Sequence, residues 1–243
     1  MARAPVVWEG LESAGLDLDF STADIPSLVT IILAACAVPP GCGEPEDIWG
    51  LSLSARIGGL LSVLVSTTAT EDLELTMRCA ACDEDMEIVL PVGRLIELAR
   101  RAAEESETVV ATPDGPVRLR RPRGSDQRAW RQARPADPEA SVLATLVLEG
   151  SPKRTALIDE ALAGFDPLTC FELDVTCPSC GVRANVDLDL EITVLGELSR
   201  VHYRTIQDVA VLARRYGWSE PEVLAIPAWR RRLYRDLGGG AGT

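Results

Sequence analysis

The sequence has one histidine, one lysine and few aromatic residues, and it lacks any long uninterrupted apolar run. Each shortage excludes something. His202, as the sole imidazole, rules out metal sites built on several histidines. A Ser-His-Asp triad would have to use it, and no GxSxG elbow is present to hold the nucleophile. There is no GxxxxGK[ST], and no GxGxxG follows a strand pattern, so neither phosphate-cradling loop is available. Carboxylates are plentiful, but nothing in the sequence pairs two of them for acid–base work. The expectation is a non-enzymatic protein with no small-molecule substrate. The most apolar stretch, "IPSLVTIILAACAVPP", is interrupted by prolines and falls short of the roughly 20 residues that cross a bilayer. It reads as a core helix, and no membrane partner is expected. The opening "MARAPVVWEG" has no basic start followed by an apolar leader. A cytoplasmic protein is therefore expected, where thiols stay reduced and paired cysteines indicate metal rather than disulfides.

What is present sets the frame. The 243 residues are 47% hydrophobic, enough for one large domain or two modest ones with a real core. The net charge of -13 disfavours nucleic acid, because binding phosphates needs clustered cations. Arginines do cluster: seven fall between Arg118 and Arg134, and eight between Arg200 and Arg235. Such runs are usually solvated faces or partners for the chain's own carboxylates.

Seven cysteines remain to be explained, and four of them form two CxxC turns. Around the first, "LELTMRCAACDEDMEIVLPV", Leu73, Leu75 and Met77 share one strand face, and Met86, Ile88 and Leu90 another. The second, "FELDVTCPSCGVRANVDLDL", lies on the first when slid back by 98 residues, so that Cys177 meets Cys79 and Cys180 meets Cys82. Two CxxC turns at hairpin tips are how a zinc ribbon holds Zn²⁺ with four thiolates. The usual spacing between such pairs is about 15–20 residues, whereas 94 intervene here. Loop-closure cost grows only slowly with length, so matched hairpins can still meet. A structural Zn²⁺ site of Cys79, Cys82, Cys177 and Cys180 is expected, without an open position for catalysis. The competing readings are redox pairs, which normally open a helix, or inert buried thiols. Gly181 and Asp83 follow the second cysteine of each turn, where the backbone often needs a positive φ. Cys36, Cys42 and Cys170 read as small buried hydrophobes.

The coarse organisation follows. The fold class is α+β: a split zinc-ribbon-like pair of β-hairpins with N-terminal helices, a large mixed insertion and a C-terminal helical region. The boundaries are 1–70 for the N-terminal helices, 71–92 for the first hairpin, 93–169 for the insertion, 170–190 for the second hairpin, 191–237 for the C-terminal helices and 238–243 for a flexible tail. Within these, residues up to Thr22 read as loosely structured, with Trp8 anchoring a turn. Helices are expected from Asp24, over Trp49 to Ser66, from Val92 to about Glu105, after Ser125, over Ser141 to Leu148, over Arg154 to Ala163 and over Ile192 to Tyr216. Two strands flank the Pro-Asp-Gly turn near Gly115. Gly217 stops a helix, Ser219 and Glu222 form a capping box, and Pro227 starts a last short helix. Three function classes stay open on these grounds: a zinc-ribbon nucleic-acid-binding or regulatory protein, a structural subunit of an assembly, and an assembly factor that binds another protein.

The segment "LARRYGWSEPEVLAIPAWRRRLYRDL" adds a resemblance. With "LRRPRGSDQRAW", "FDPLTCFELDVTCPSCG", "DLDLEITVLGELSRVHYRTIQDVAVLA" and the "LELTMRCAAC" hairpin, it resembles the T-even-type phage baseplate hub assembly chaperones, a family found with contractile phage tails and contractile injection systems. The likeness spans about residues 50–237 and departs at "RLRRPRGSDQ", which is richer in arginine. It implies an accessory of a contractile-tail baseplate that binds hub, spike or tape-measure proteins. The residue types that anchor interfaces collect near the end of the chain, at Trp218, Trp229, Arg230, Arg231, Arg232 and Tyr234. These are the expected partner-binding residues, with closure of the protein's own core as the competing role.

Overall fold

The computed structural model describes residues 6–11, 17–38, 43–151, 153 and 155–237. The protein is α+β, combining helices with small antiparallel sheets. It divides into two compact units, Met1–Leu195 and Gly196–Thr243. Cys42, Arg154 and the expected tail of 238–243 lie outside the described residues. Among the described residues, no helix is long and apolar enough to cross a membrane.

The first unit begins with strand β1 (Val7–Trp8), where the sequence suggested only a turn around Trp8. Helix α1 (Ile25–Cys36) follows, and its end runs into β2 (Ala37–Val38), which pairs antiparallel with β1. The Asp24 side chain caps α1 by accepting from the Ser27 amide, as the sequence leads one to expect. Cys36 is buried at the end of α1, and burial, with Glu9 adding to it, pushes its thiol up to about 11. It is an inert apolar filler, as expected.

The helix expected over Trp49 to Ser66 is two helices, α2 (Pro45–Gly50) and α3 (Leu53–Thr68). The break has two causes, a cap and a pairing with a distant segment. The Ser52 hydroxyl caps α3 by accepting from the Ala55 amide, and Leu53 N donates to Pro122 O while Gly124 N donates to Leu51 O. Leu28, Val29, Ile32 and Leu33 of α1 and Ile57, Leu60, Leu61 and Leu64 of α3 form the main apolar core.

That core encloses a cation. Arg56 of α3 is 0% exposed. Its guanidinium donates to Pro26 O at 2.7 Å, Thr30 Oγ1 at 3.0 Å and Ile48 O at 3.1 Å, and lies over the Trp49 ring. Burial pulls its pKa down to about 10, with Glu191 opposing, so it stays charged at neutral pH. A side chain at Gly124 would begin 2.6 Å from the Arg56 Nη1, so it would push the guanidinium out of its place.

Strands β3 (Asp72–Arg78) and β4 (Asp85–Pro91) form the first cysteine hairpin, and helix α4 (Val92–Ala102) packs back on α3. The insertion then builds a three-stranded sheet from β5 (Glu107–Thr112), β6 (Gly115–Arg120) and β7 (Val147–Glu149). Between β6 and β7 lie α5 (Gly124–Ala133) and α6 (Pro138–Leu146), and α7 (Ala156–Phe165) follows. The expected helix of Ser141 to Leu148 therefore ends sooner, because Val147 and Leu148 leave it to pair with β6. Val117, Leu119, Leu143 and Ile158 give the insertion a small core of its own.

The arginines of this region are largely spoken for. Arg118 pairs with Glu107 and Glu149, and Arg120 grips Asp126 in two hydrogen bonds at 2.7 and 2.9 Å. Arg121 donates to Glu105 O and stacks on Phe165. It also sits 3.9 Å from Asp166, which is 0% exposed. The Asp166 carboxylate accepts from Ser54 N of α3, and the Ser54 hydroxyl accepts from Leu168 N. Burial pushes the Asp166 carboxyl up, opposed by the Ser54 hydrogen bonds and Arg121.

From there the chain enters the second cysteine hairpin, β8 (Phe171–Thr176) and β9 (Arg183–Leu188). Helix α8 (Leu190–Tyr216) starts in the first unit and is the longest element of the second. The second unit is completed by α9 (Glu220–Leu224) and α10 (Ala228–Asp236). Gly217 at φ +69 ends α8, and Ser219 with Glu222 makes the expected capping box.

Arg56→Ala removes three hydrogen bonds and a large, fully buried side chain from the core, and its expected cost is about 3–5 kcal/mol. Chemical denaturation of the two proteins measures this; a loss under about 1 kcal/mol would show that the cation is dispensable.

Candidate metal centre

Both CxxC turns sit at the tips of antiparallel hairpins, and the hairpins are equivalent position by position. In the first, Leu73 pairs with Leu90, Leu75 with Ile88 and Met77 with Met86. In the second, Phe171 pairs with Leu188, Leu173 with Val186 and Val175 with Ala184, the same register displaced by 98 residues. The turns repeat in the same way. Cys79 N donates to Glu84 O and Asp83 N to Cys79 O, while Cys177 N donates to Val182 O and Gly181 N to Cys177 O. The residue after each second cysteine is left-handed, Asp83 at φ +60 and Gly181 at φ +72. The duplicated pattern in the sequence is thus a duplicated backbone.

The two tips meet. Cys79 Sγ lies 3.7 Å from Cys180 Sγ, and Cys82 Sγ lies 3.6 Å from Cys177 Sγ. All four sulfurs fall within 4.8 Å of one another, an arrangement that could hold a metal ion. Each close pair takes one thiol from each hairpin. A disulfide needs sulfurs about 2.05 Å apart, and all four cysteines are free. An ion held tetrahedrally at about 2.3 Å from each sulfur needs edges of about 3.8 Å, close to the two short separations. Cys79 and Cys177 are buried, Cys82 is half-buried and Cys180 exposed. Met77, Met86 and Val175 pack around them in one cluster, so the apolar strand faces support the sulfurs.

The backbone favours thiolates here. The amides of Cys180 and Ser179 pull the Cys177 thiol down to about 6. The Glu84 amide acts likewise on Cys82, but burial and the three neighbouring sulfurs outweigh it and push that thiol up to about 12. Four crowded sulfurs cannot all ionise without a cation among them. A helix-opening redox pair is a different geometry, since these cysteines sit between strands. Cys170 is exposed, contrary to the expectation of a buried filler, because it sits at the edge of the turn leading into β8.

No family model, curated protein or solved structure matches the chain.

The expected partner-binding residues separate into two groups in the second unit. Trp218 stacks on Tyr216 at 4.6 Å and meets Tyr234 edge-on at 5.4 Å, so Trp218 and Tyr234 are half-buried members of one aromatic cluster within the unit. Arg231 is only 1% exposed and donates to Ile226 O at 2.7 Å, which removes it from the surface. The sequence hides this, because three consecutive arginines look alike until the helix phase of α10 is known. Trp229, Arg230 and Arg232 are exposed. His202 is half-buried on α8.

A β-branched residue is costly in the left-handed region, so Gly181→Val should lose about 1–2 kcal/mol. Open space surrounds that position, so conformation alone accounts for the cost. Gly181→Asn should lose less, and thermal denaturation of the pair separates strain from packing. Equal losses for the two would contradict the backbone argument.

Proposed function

We propose that this chain is a non-enzymatic, zinc-stabilised assembly factor of a contractile-tail baseplate, acting on hub, spike or tape-measure proteins. The observation that carries the zinc half is the convergence of four thiols from two hairpins 98 residues apart. Sulfur ligands in a four-coordinate set select Zn²⁺ among common biological cations. Four protein ligands leave no position for water or substrate, so the ion is a clamp rather than a reaction centre. On this reading the paired tips act as a split zinc ribbon around a folded insertion. The baseplate half rests on the resemblance of the segments around the second knuckle and the Tyr-Gly-Trp-Ser-Glu turn. Trp229, Arg230 and Arg232 supply exposed residues of the types that anchor partners.

The alternative is a zinc-ribbon nucleic-acid-binding or regulatory protein. It would draw on Arg123, Arg128, Arg131 and Arg134, which are exposed. It is weakened by the engagement of Arg118, Arg120 and Arg121 with the chain's own carboxylates.

Purified protein should hold about one zinc per chain, and Cys79→Ser or Cys177→Ser should hold well under half. Stripping the metal with a chelator should lower the melting temperature and expose the four clamped thiols to titration. Less than about half an equivalent in the parent protein, with every thiol reactive, would falsify the clamp. Co-purification with a hub or spike protein tests the baseplate half. Duplex DNA binding that survives about 0.15 M salt would favour the alternative instead.

A further inference from the structure

Helix α10 is inside out. Its one fully buried residue is Arg231, held 4.0 Å from the buried Asp208, while Arg235 reaches the same carboxylate at 2.8 Å. Trp229, Leu233 and Leu237, at i, i+4 and i+8, face solvent with 63%, 52% and 73% exposure. Arg230 and Arg232 flank this stripe and are exposed. An amphipathic helix that spends its inner face on an ion pair and presents tryptophan and leucine outward is shaped as an interface.

The charge of the chain says what would cover it. Residues 196–243 hold eight arginines against five carboxylates, a net +3. Residues 1–195 hold 16 cations against 32 carboxylates, a net -16. The first unit also carries a cavity of about 480 Å³ at the base of the second hairpin, within the usual range for small-ligand sites of about 300–1,000 Å³. It is lined by apolar Leu53, Ile57 and Leu168 and by the carboxylates of Glu172, Asp187 and Glu191. An apolar lining among carboxylates is complementary to an indole flanked by guanidiniums.

We propose that α10 of one copy docks into this acidic cavity of a second copy, head to tail, with Trp229 inserted and Arg230 and Arg232 facing the carboxylates. The contact is heterologous, so each copy keeps one free helix and one free cavity. It does not rest on the baseplate reading, because purified protein alone displays it.

Sedimentation velocity of the full chain tests it. The average mass should rise with concentration between about 5 and 200 μM at low salt, and the dissociation constant should increase at least about tenfold near 1 M salt. Trp229→Ser with Leu233→Ser should leave single chains, as should Glu172→Arg with Asp187→Arg. Mixed one to one, these two variants should form a dimer that grows no further, because only one intact helix and one intact cavity face each other. Arg230→Glu with Arg232→Glu replaces the serine pair if circular dichroism shows a changed fold. The proposal is overturned if the parent protein stays a single chain throughout, if either double variant associates like the parent, or if the mixture does not pair.

Discussion

Asp166 ties the end of the insertion back to α3 just before the second cysteine hairpin begins. It accepts from the backbone of Ser54 across 112 residues of chain, and the Ser54 hydroxyl accepts from the Leu168 amide. Arg121, seated on Phe165 and on the Glu105 carbonyl, brings the end of β6 to the same point. A buried carboxylate with a cation and a backbone amide beside it is stable only if all of them are in place. The network therefore fixes where β8 starts, and the β8–β9 tip follows. If the 94 residues between the knuckles were slack, closing them would cost only about 1.5 kcal/mol more than a ribbon's ordinary loop. The insertion's own core around Val117, Leu119, Leu143 and Ile158 reduces that disadvantage further.

The parts of this fold legible in the sequence are those with a short period. Alternation around Cys79 and Cys177 placed both hairpins, and the matching phase placed their registers against each other. Asp24, Ser219 with Glu222, and Gly217 marked helix ends through local hydrogen bonds or a positive φ. What was illegible depends on distant partners. Strand β1 is two residues long and pairs with residues some 30 positions away, so it has no period to read. The break before α3 comes from backbone pairing with Pro122 and Gly124, and β7 exists because β6 offers it an edge. Arg56 looks like any helix-surface arginine until three carbonyl and hydroxyl oxygens surround it. Among the candidate functional residues, the four cysteines were fully legible. The arginine triplet was not, because burial within a run of like residues depends on helix phase.

Arg56 and Arg231 use the same device at different scales. Each is a buried cation that donates to backbone carbonyls, Arg56 to Ile48 O near the end of α2 and to Pro26 O in α1, and Arg231 to Ile226 O in the turn after α9. In the first unit this lets α1, α2 and α3 converge around one guanidinium. In the second it draws α10 against the turn after α9 and frees the opposite side of that helix from packing duties. A small unit with few buried apolar residues gains specificity this way, since an arginine accepts only a fixed fork of partners.

The shared tip of the two hairpins also has a temporal side. The first two sulfurs emerge from the ribosome long before the last two. At about 5–20 residues per second the interval of 98 residues is about 5–20 s. During that time Cys79 and Cys82 await Cys177 and Cys180 while the insertion between the hairpins is made. The four sulfurs can come together only after the whole insertion has been synthesised. Closure of the cluster is thus a late event in the making of the chain, and it ties an early hairpin to a much later one.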